Sequence, residues 1–276
     1  MPGRGAVYLE VQAGMTRNLG LIISYDGTGY SGFQSQPFKN TIQDKIEEAI
    51  AMLTGEQVKL IGSGRTDAGV HALGQVANFE TASPIPTYRW RLALNTRLPS
   101  DIVIREVFEA PLSFHSRRMA KRKTYRYTIN NSRVPDVFGQ KYQYFHPTPL
   151  DVAAMREAIA CLAGEHDFST FCSRKSTKSS HVRTIYEVRI DVERDAYPDH
   201  EGRNGMIHIF VTGNGFLYNM VRVIAGTLLQ IGEGKRPVSD MARILQMKDR
   251  GAAGPTAIAQ GLCLMQVEYD SADMLK

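Results

Sequence analysis

Val58-Lys59-Leu60-Ile61, then Gly64-Arg65-Thr66-Asp67-Ala68-Gly69, then Leu73-Gly74-Gln75-Val76-Ala77-Asn78-Phe79 is the stretch that decides how this chain is read. The first run is apolar and the last alternates, so both read as strands. The segment between them is a turn bearing one carboxylate, with an arginine two residues before it. Its glycines let backbone or ligand approach closely. An Asp in such a turn most often only accepts hydrogen bonds from its own loop. A carboxylate beside a cation is also expected to keep a low pKa and stay ionised, as a nucleophilic or charge-stabilising role requires.

Working outward, a strand is expected at Leu19–Tyr25, followed by the Gly-rich loop Asp26–Gln34. A helix is expected from about Thr41 to Leu53, where Ile42, Ile46, Ile50 and Leu53 share a face. Thr41 with Asp44 resembles a capping box, and Gly55 is the stop. After the two strands around Asp67 come a helix near Thr87–Thr96 and a strand at Ile102–Phe108. This order, β-α-β-β-α-β, is the ferredoxin-like one.

The alternation then recurs with larger insertions. Strands are expected at Thr124–Ile129, Ile185–Glu193, Met206–Thr212 and Leu262–Tyr269, with helices at Val152–Leu162, Leu217–Ile231 and Val238–Met247. The expected fold class is α+β, with two ferredoxin-like (RRM-like) halves sharing an extended, mainly antiparallel sheet with a central cleft. Residues 1–16 read as an extension, 17–112 as the half with the Asp loop, and 113–276 as the second half. A groove between two such halves is a natural ligand site.

Composition narrows the function. No apolar stretch among the 276 residues approaches a membrane span, and Glu10 and Gln12 interrupt any signal-peptide core. A cytoplasmic protein is expected. Three cysteines with no C-x-x-C pair argue against a disulfide framework or structural zinc, and the histidines lack metal-site spacing. The net charge of +5 is unevenly spread. Arg117, Arg118, Lys121, Arg122, Lys123 and Arg126 crowd one segment, and Arg174, Lys175, Lys178, His181 and Arg183 another. Either block alone could be solvated surface; together they favour a polyanionic partner.

Three features could carry chemistry besides Asp67. Arg222 interrupts an apolar helical run, where a guanidinium must snorkel to water or find a carboxylate; pairing with Asp67 across the groove is the sharper alternative. Tyr125 follows the first basic block. It could be core packing, or an exposed ring that stacks on a base while cations hold phosphates, with Phe114-His115 on the same surface. His71 reads as a residue that anchors the loop. The Gly-rich loop lacks the Lys-Ser/Thr of a P-loop, so a nucleotide cofactor has little support.

With these residues assembled, the chain resembles the TruA family of tRNA pseudouridine synthases from about Asn18 to Tyr269. The resemblance rests on Tyr25-Asp26-Gly27, Gly32-Phe33-Gln34, Arg65-Thr66-Asp67-Ala68-Gly69-Val70-His71, Tyr125-Arg126-Tyr127, Gly164-Glu165-His166-Asp167-Phe168, Met220-Val221-Arg222 and Gly261-Leu262. It implies isomerisation of uridine to pseudouridine at positions 38–40 of the tRNA anticodon stem-loop, without a cofactor, by a homodimer. Asp67 matches the family's nucleophile, Arg222 its ion-pair partner, Tyr125 the ring against the uracil, and Arg65 the side chain that helps displace the nucleotide; Tyr125 is also a candidate base for the C5 proton. Leu262 and the cations Arg117, Arg118, Lys121, Arg122 and Lys123 are the further expected substrate contacts. A non-catalytic RNA-binding protein, or a hydrolase using Asp67 with His71, would share much of this sequence but not the isomerisation.

Overall fold

The computed structural model describes residues 15–176, 178–193 and 204–270; the expected extension lies outside them up to residue 14. In chain order the first elements are β1 (Arg17–Tyr25), α1 (Ile42–Thr54), β2 (Ile61–Gly62), β3 (His71–Thr81), α2 (Thr87–Asn95) and β4 (Ile102–Ala110). Then come β5 (Arg122–Asn131), β6 (Tyr144–Phe145), α3 (Val152–Ala160), β7 (Gly164–Asp167), β8 (Val182–Glu193), β9 (Gly205–Gly213), α4 (Met220–Gly232), α5 (Asp240–Met247) and β10 (Leu262–Glu268).

The strands form one sheet in the order β4-β1-β3-β10-β5-β9-β8-β7, with β2 on β3 and β6 on β5. One pattern of pairing occurs twice in it: β4-β1-β3-β2 and β10-β5-β9-β8. All long pairings are antiparallel. The join is parallel and short, with Cys263 opposite His71 and Leu264 opposite Ala72. At this seam the loop before β3 and the strand β5 come close, and the cleft opens there.

Side-chain alternation builds the core. Leu19, Leu21 and Ile23 of β1, Tyr127 and Ile129 of β5, and Ile207, Ile209 and Val211 of β9 are fully buried in one hydrophobic cluster. Each such aliphatic side chain contributes roughly 1.5–3 kcal/mol by leaving water. Helix α1 adds Ile42, Ile46 and Ile50 from one face. Its ends follow the sequence: the Thr41 side chain accepts from the Asp44 amide, and Gly55 adopts a left-handed conformation while its N–H donates to the Ala51 carbonyl.

Four expectations need correction. The run before the Asp67 turn pairs only through Ile61 and Gly62, because the Leu60 amide is taken by the Glu47 carboxylate of α1 at 2.8 Å. Helix α3 stops at Ala160, short of Leu162. Helix α4 starts at Met220 rather than Leu217, since Asn219 is left-handed with φ 63°. Finally, β6 and β7 are additional short strands, whose two and four residues are too few to show a period.

Candidate active site

Asp67 is fixed by the loops packed on its turn rather than by Arg65. The Thr66 carbonyl accepts from the Phe33 amide at 3.1 Å, and the Val70 amide donates to the Asp67 carbonyl at 3.1 Å. The Thr66 hydroxyl shares a hydrogen bond of 2.7 Å with the buried Tyr25 phenol. Gly32 has φ +97°, and a Cβ there would lie 2.7 Å from the Thr66 carbonyl oxygen. Only glycine lets the Asp26–Gln34 loop rest on the turn that carries Asp67.

Arg222 arrives from α4, far along the chain. It sits in the first turn of α4, where its Nε donates to the Ala257 carbonyl at 2.7 Å and its Nη1 to the Asn219 side-chain oxygen at 3.0 Å. Nη1 also lies 3.5 Å from Oδ2 of Asp67. The Ala257 amide donates back to the Arg222 carbonyl at 3.0 Å. This strap reaches α4 because residue 226 is glycine: a Cβ there would meet the Pro255 carbonyl oxygen at 1.9 Å. The guanidinium is therefore aimed by two neutral acceptors before it meets the carboxylate.

The pair is largely buried, with side chains 22% exposed for Asp67 and 17% for Arg222. Burial pushes the Asp67 carboxyl above the ordinary carboxylate range, and the Arg222 charge opposes this without cancelling it. The expectation of a depressed pKa is thus overturned, and so is its cause. Arg65 is exposed, and its Nε donates to the Gln34 side chain at 3.3 Å.

Asp67 lines a cleft of about 810 Å³. One part of the lining is aromatic and apolar: Tyr125, Phe216, Leu217, Val221 and Leu262. Another is cationic: Arg65, Arg117, Lys123, Lys175, Lys178 and Arg183. Asp67 is the one carboxylate among the described lining residues. Tyr125 is buried rather than exposed, 7% accessible, and its ring meets Phe216 edge-on at 5.0 Å. Burial first, then the nearby Tyr25 and Asp67 groups, push its phenol far above its usual range.

The structure brings together Asp67, Arg222, Tyr125, Leu262, Arg65, Arg117 and Lys123. Three other expected contacts lie outside the cleft lining. Arg118 is exposed and its amide faces the His115 ring. Lys121 pairs with Asp270 at 2.8 Å. Arg122 stacks over Tyr186. For Arg122 strand alternation explains the divergence, because Lys123 and Tyr125 point to one face of β5 and Arg122 to the other. Phe114 is core, packed on Phe108 and Tyr269. His71 is a buried anchor whose Nδ1 accepts from the Gly27 amide at 3.1 Å, beside Asp26.

Sequence reasoning missed Asn219, Ala257 and Phe216. The Asn before an apolar helix was the available sign for the first, since Asn tolerates the left-handed region. The other two act through a backbone carbonyl and a ring edge, which leave no local signal.

Comparison with known proteins follows the same lines. A family model described as tRNA pseudouridine synthase matches residues 21–117 and 158–270. The tRNA pseudouridine synthase A of Caldicellulosiruptor bescii is 49% identical over 253 residues, covering 92% of this chain and all of that relative. The proteins of the same name from Brevibacillus brevis and Geobacillus kaustophilus are each 47% identical, covering 92% and 93% of this chain and 100% and 96% of the relatives. The chain belongs to the tRNA pseudouridine synthase family, the isomerases that convert uridine to pseudouridine in tRNA.

Proposed function

We propose that this chain isomerises uridine at positions 38–40 of the tRNA anticodon stem-loop, with Asp67 as the nucleophile, and that it acts as a homodimer. The supporting observation is the cleft itself: among the described residues that line it, a single carboxylate lies with an aromatic and apolar wall and six cations suited to a polyanion. A uridine stacked in RNA must be everted to reach it, at a cost of a few kcal/mol. Phosphate contacts offset that cost and position the nucleotide without reading its sequence.

The reaction needs no redox partner. The N1–C1′ bond breaks, the freed base turns, C5 bonds to C1′, the C5 proton leaves and N1 gains one. Atoms and electrons balance within the nucleoside. Ionised Asp67 attacks the nucleoside, at C6 of the uracil or at C1′ of the sugar, and is released when the new bond is complete. Arg222 keeps that carboxylate charged against its burial and sets its direction. Tyr125, with Phe216 behind it and Leu262 nearby, packs against the uracil while it turns. Arg65, exposed at the loop, displaces the target nucleotide.

The test is incubation of the purified protein with unmodified tRNA, followed by pseudouridine mapping. The proposal expects pseudouridine confined to positions 38–40 with RNA mass unchanged. Released uracil, or modification elsewhere in the tRNA, would contradict it.

A further inference from the structure

Lys123 shares a face of β5 with Tyr125, and both line the cleft. Its Nζ donates to the Ser63 carbonyl at 2.7 Å, at the root of the Asp67 loop. The charges acting on it are Arg117 from the segment after β4, Lys178 from the segment before β8, and Arg183 of β8. All are cations. Asp67, the one carboxylate among the described residues that line the cleft, has Arg222 beside it. Lys121, by contrast, has Asp270. A partly buried ammonium under the influence of three like charges is costly unless an anion completes the group. Burial and those three cations push the Lys123 pKa down to about 8.

We propose that Lys123, Arg117, Lys178 and Arg183 together form a seat for a single backbone phosphate of the everted nucleotide, which fixes the base between Tyr125 and Asp67. The inference deepens the tRNA assignment and rests on it. It carries a linkage. Below about pH 8 the free protein already holds the Lys123 proton, so RNA binds at full strength. Above that pH the proton must be taken up as the phosphate arrives, and affinity falls by up to about tenfold per pH unit.

The experiment measures binding of a synthetic anticodon stem-loop to the full chain carrying Asp67→Asn, so that the RNA is not turned over. Uncharged methylphosphonates replace the phosphates around the target uridine one at a time. Lys123→Gln is expected to weaken binding of the native RNA by roughly tenfold or more at pH 7. That loss should vanish for one methylphosphonate position and persist for the others. Lys123→Arg should keep the affinity at pH 7 and remove its decline above pH 8. A loss from Lys123→Gln that is the same at every position, or a decline that survives in Lys123→Arg, overturns the seat. Failure of any stem-loop to bind overturns the anticodon assignment itself.

Discussion

Arg222 Nη1 lies 3.5 Å from Oδ2 of Asp67 across the seam where β3 and β10 run parallel. The distance is long for a charge-assisted hydrogen bond, and the stronger contacts of Arg222 go to Ala257 and Asn219. The arginine is thus anchored by the second half of the chain and presented to the first.

Arg222→Gln removes the one charge that opposes the burial of Asp67. The Asp67 pKa already lies above its ordinary value, so it should rise further. The acid limb of kcat/KM, where activity is lost as pH falls and Asp67 takes a proton, should therefore move to higher pH. Arg222→Lys should move it less, since charge is retained while the Nε bond to Ala257 is lost. A pH profile of both variants checks this; an acid limb unmoved in Arg222→Gln contradicts the coupling.

Tyr125 separates packing from chemistry. Tyr125→Ala leaves a cavity beside Phe216 in the core and should cost about 3–5 kcal/mol of stability, measured by denaturant unfolding. Tyr125→Phe keeps the ring and should stay within about 1.5 kcal/mol of the parent. Because the phenol is held protonated far above its usual range, its ionisation should not produce the basic limb of the activity profile, and Tyr125→Phe should leave that limb in place.

Gly226→Ala acts at a distance from the cleft lining. Its Cβ would overlap the Pro255 carbonyl oxygen, and backbone on both sides gives little room for adjustment. A loss of about 1–3 kcal/mol is expected. Because the displaced strap carries the Ala257 carbonyl that aims Arg222, kcat should fall while KM changes little. Unfolding and steady-state kinetics on the same preparation test both parts.

The sequence made most of this architecture readable where the signal is local. Helix α1 announced itself through Ile42, Ile46 and Ile50 and its Thr41 and Gly55 caps, and β3 through the alternating run from Leu73 to Phe79. The turn with Asp67 was visible from its glycines. The start of α4 was not, because Leu217 and Tyr218 continue an apolar run that the left-handed Asn219 interrupts. The β3–β10 junction rests on two register pairs between distant strands, and nothing near either residue marks it. The sign of the Asp67 shift was unreadable for a related reason: burial is a property of the assembled cleft. Arg65 stood beside Asp67 in sequence, yet the compensating charge comes from α4. Lys175, Lys178 and Arg183 read only as a polyanion-binding block, and the fold gathers them at Asp67.

The central claim is that the Asp67 carboxylate performs the chemistry and does not merely hold its loop. Its most direct measurement is single-turnover pseudouridine formation by Asp67→Asn on unmodified tRNA, with binding of that tRNA measured in parallel. The account predicts a rate reduced by roughly 10³-fold or more, with affinity within about threefold of the parent because the cations of the cleft are untouched. Pseudouridine formed at a rate near that of the parent would contradict it.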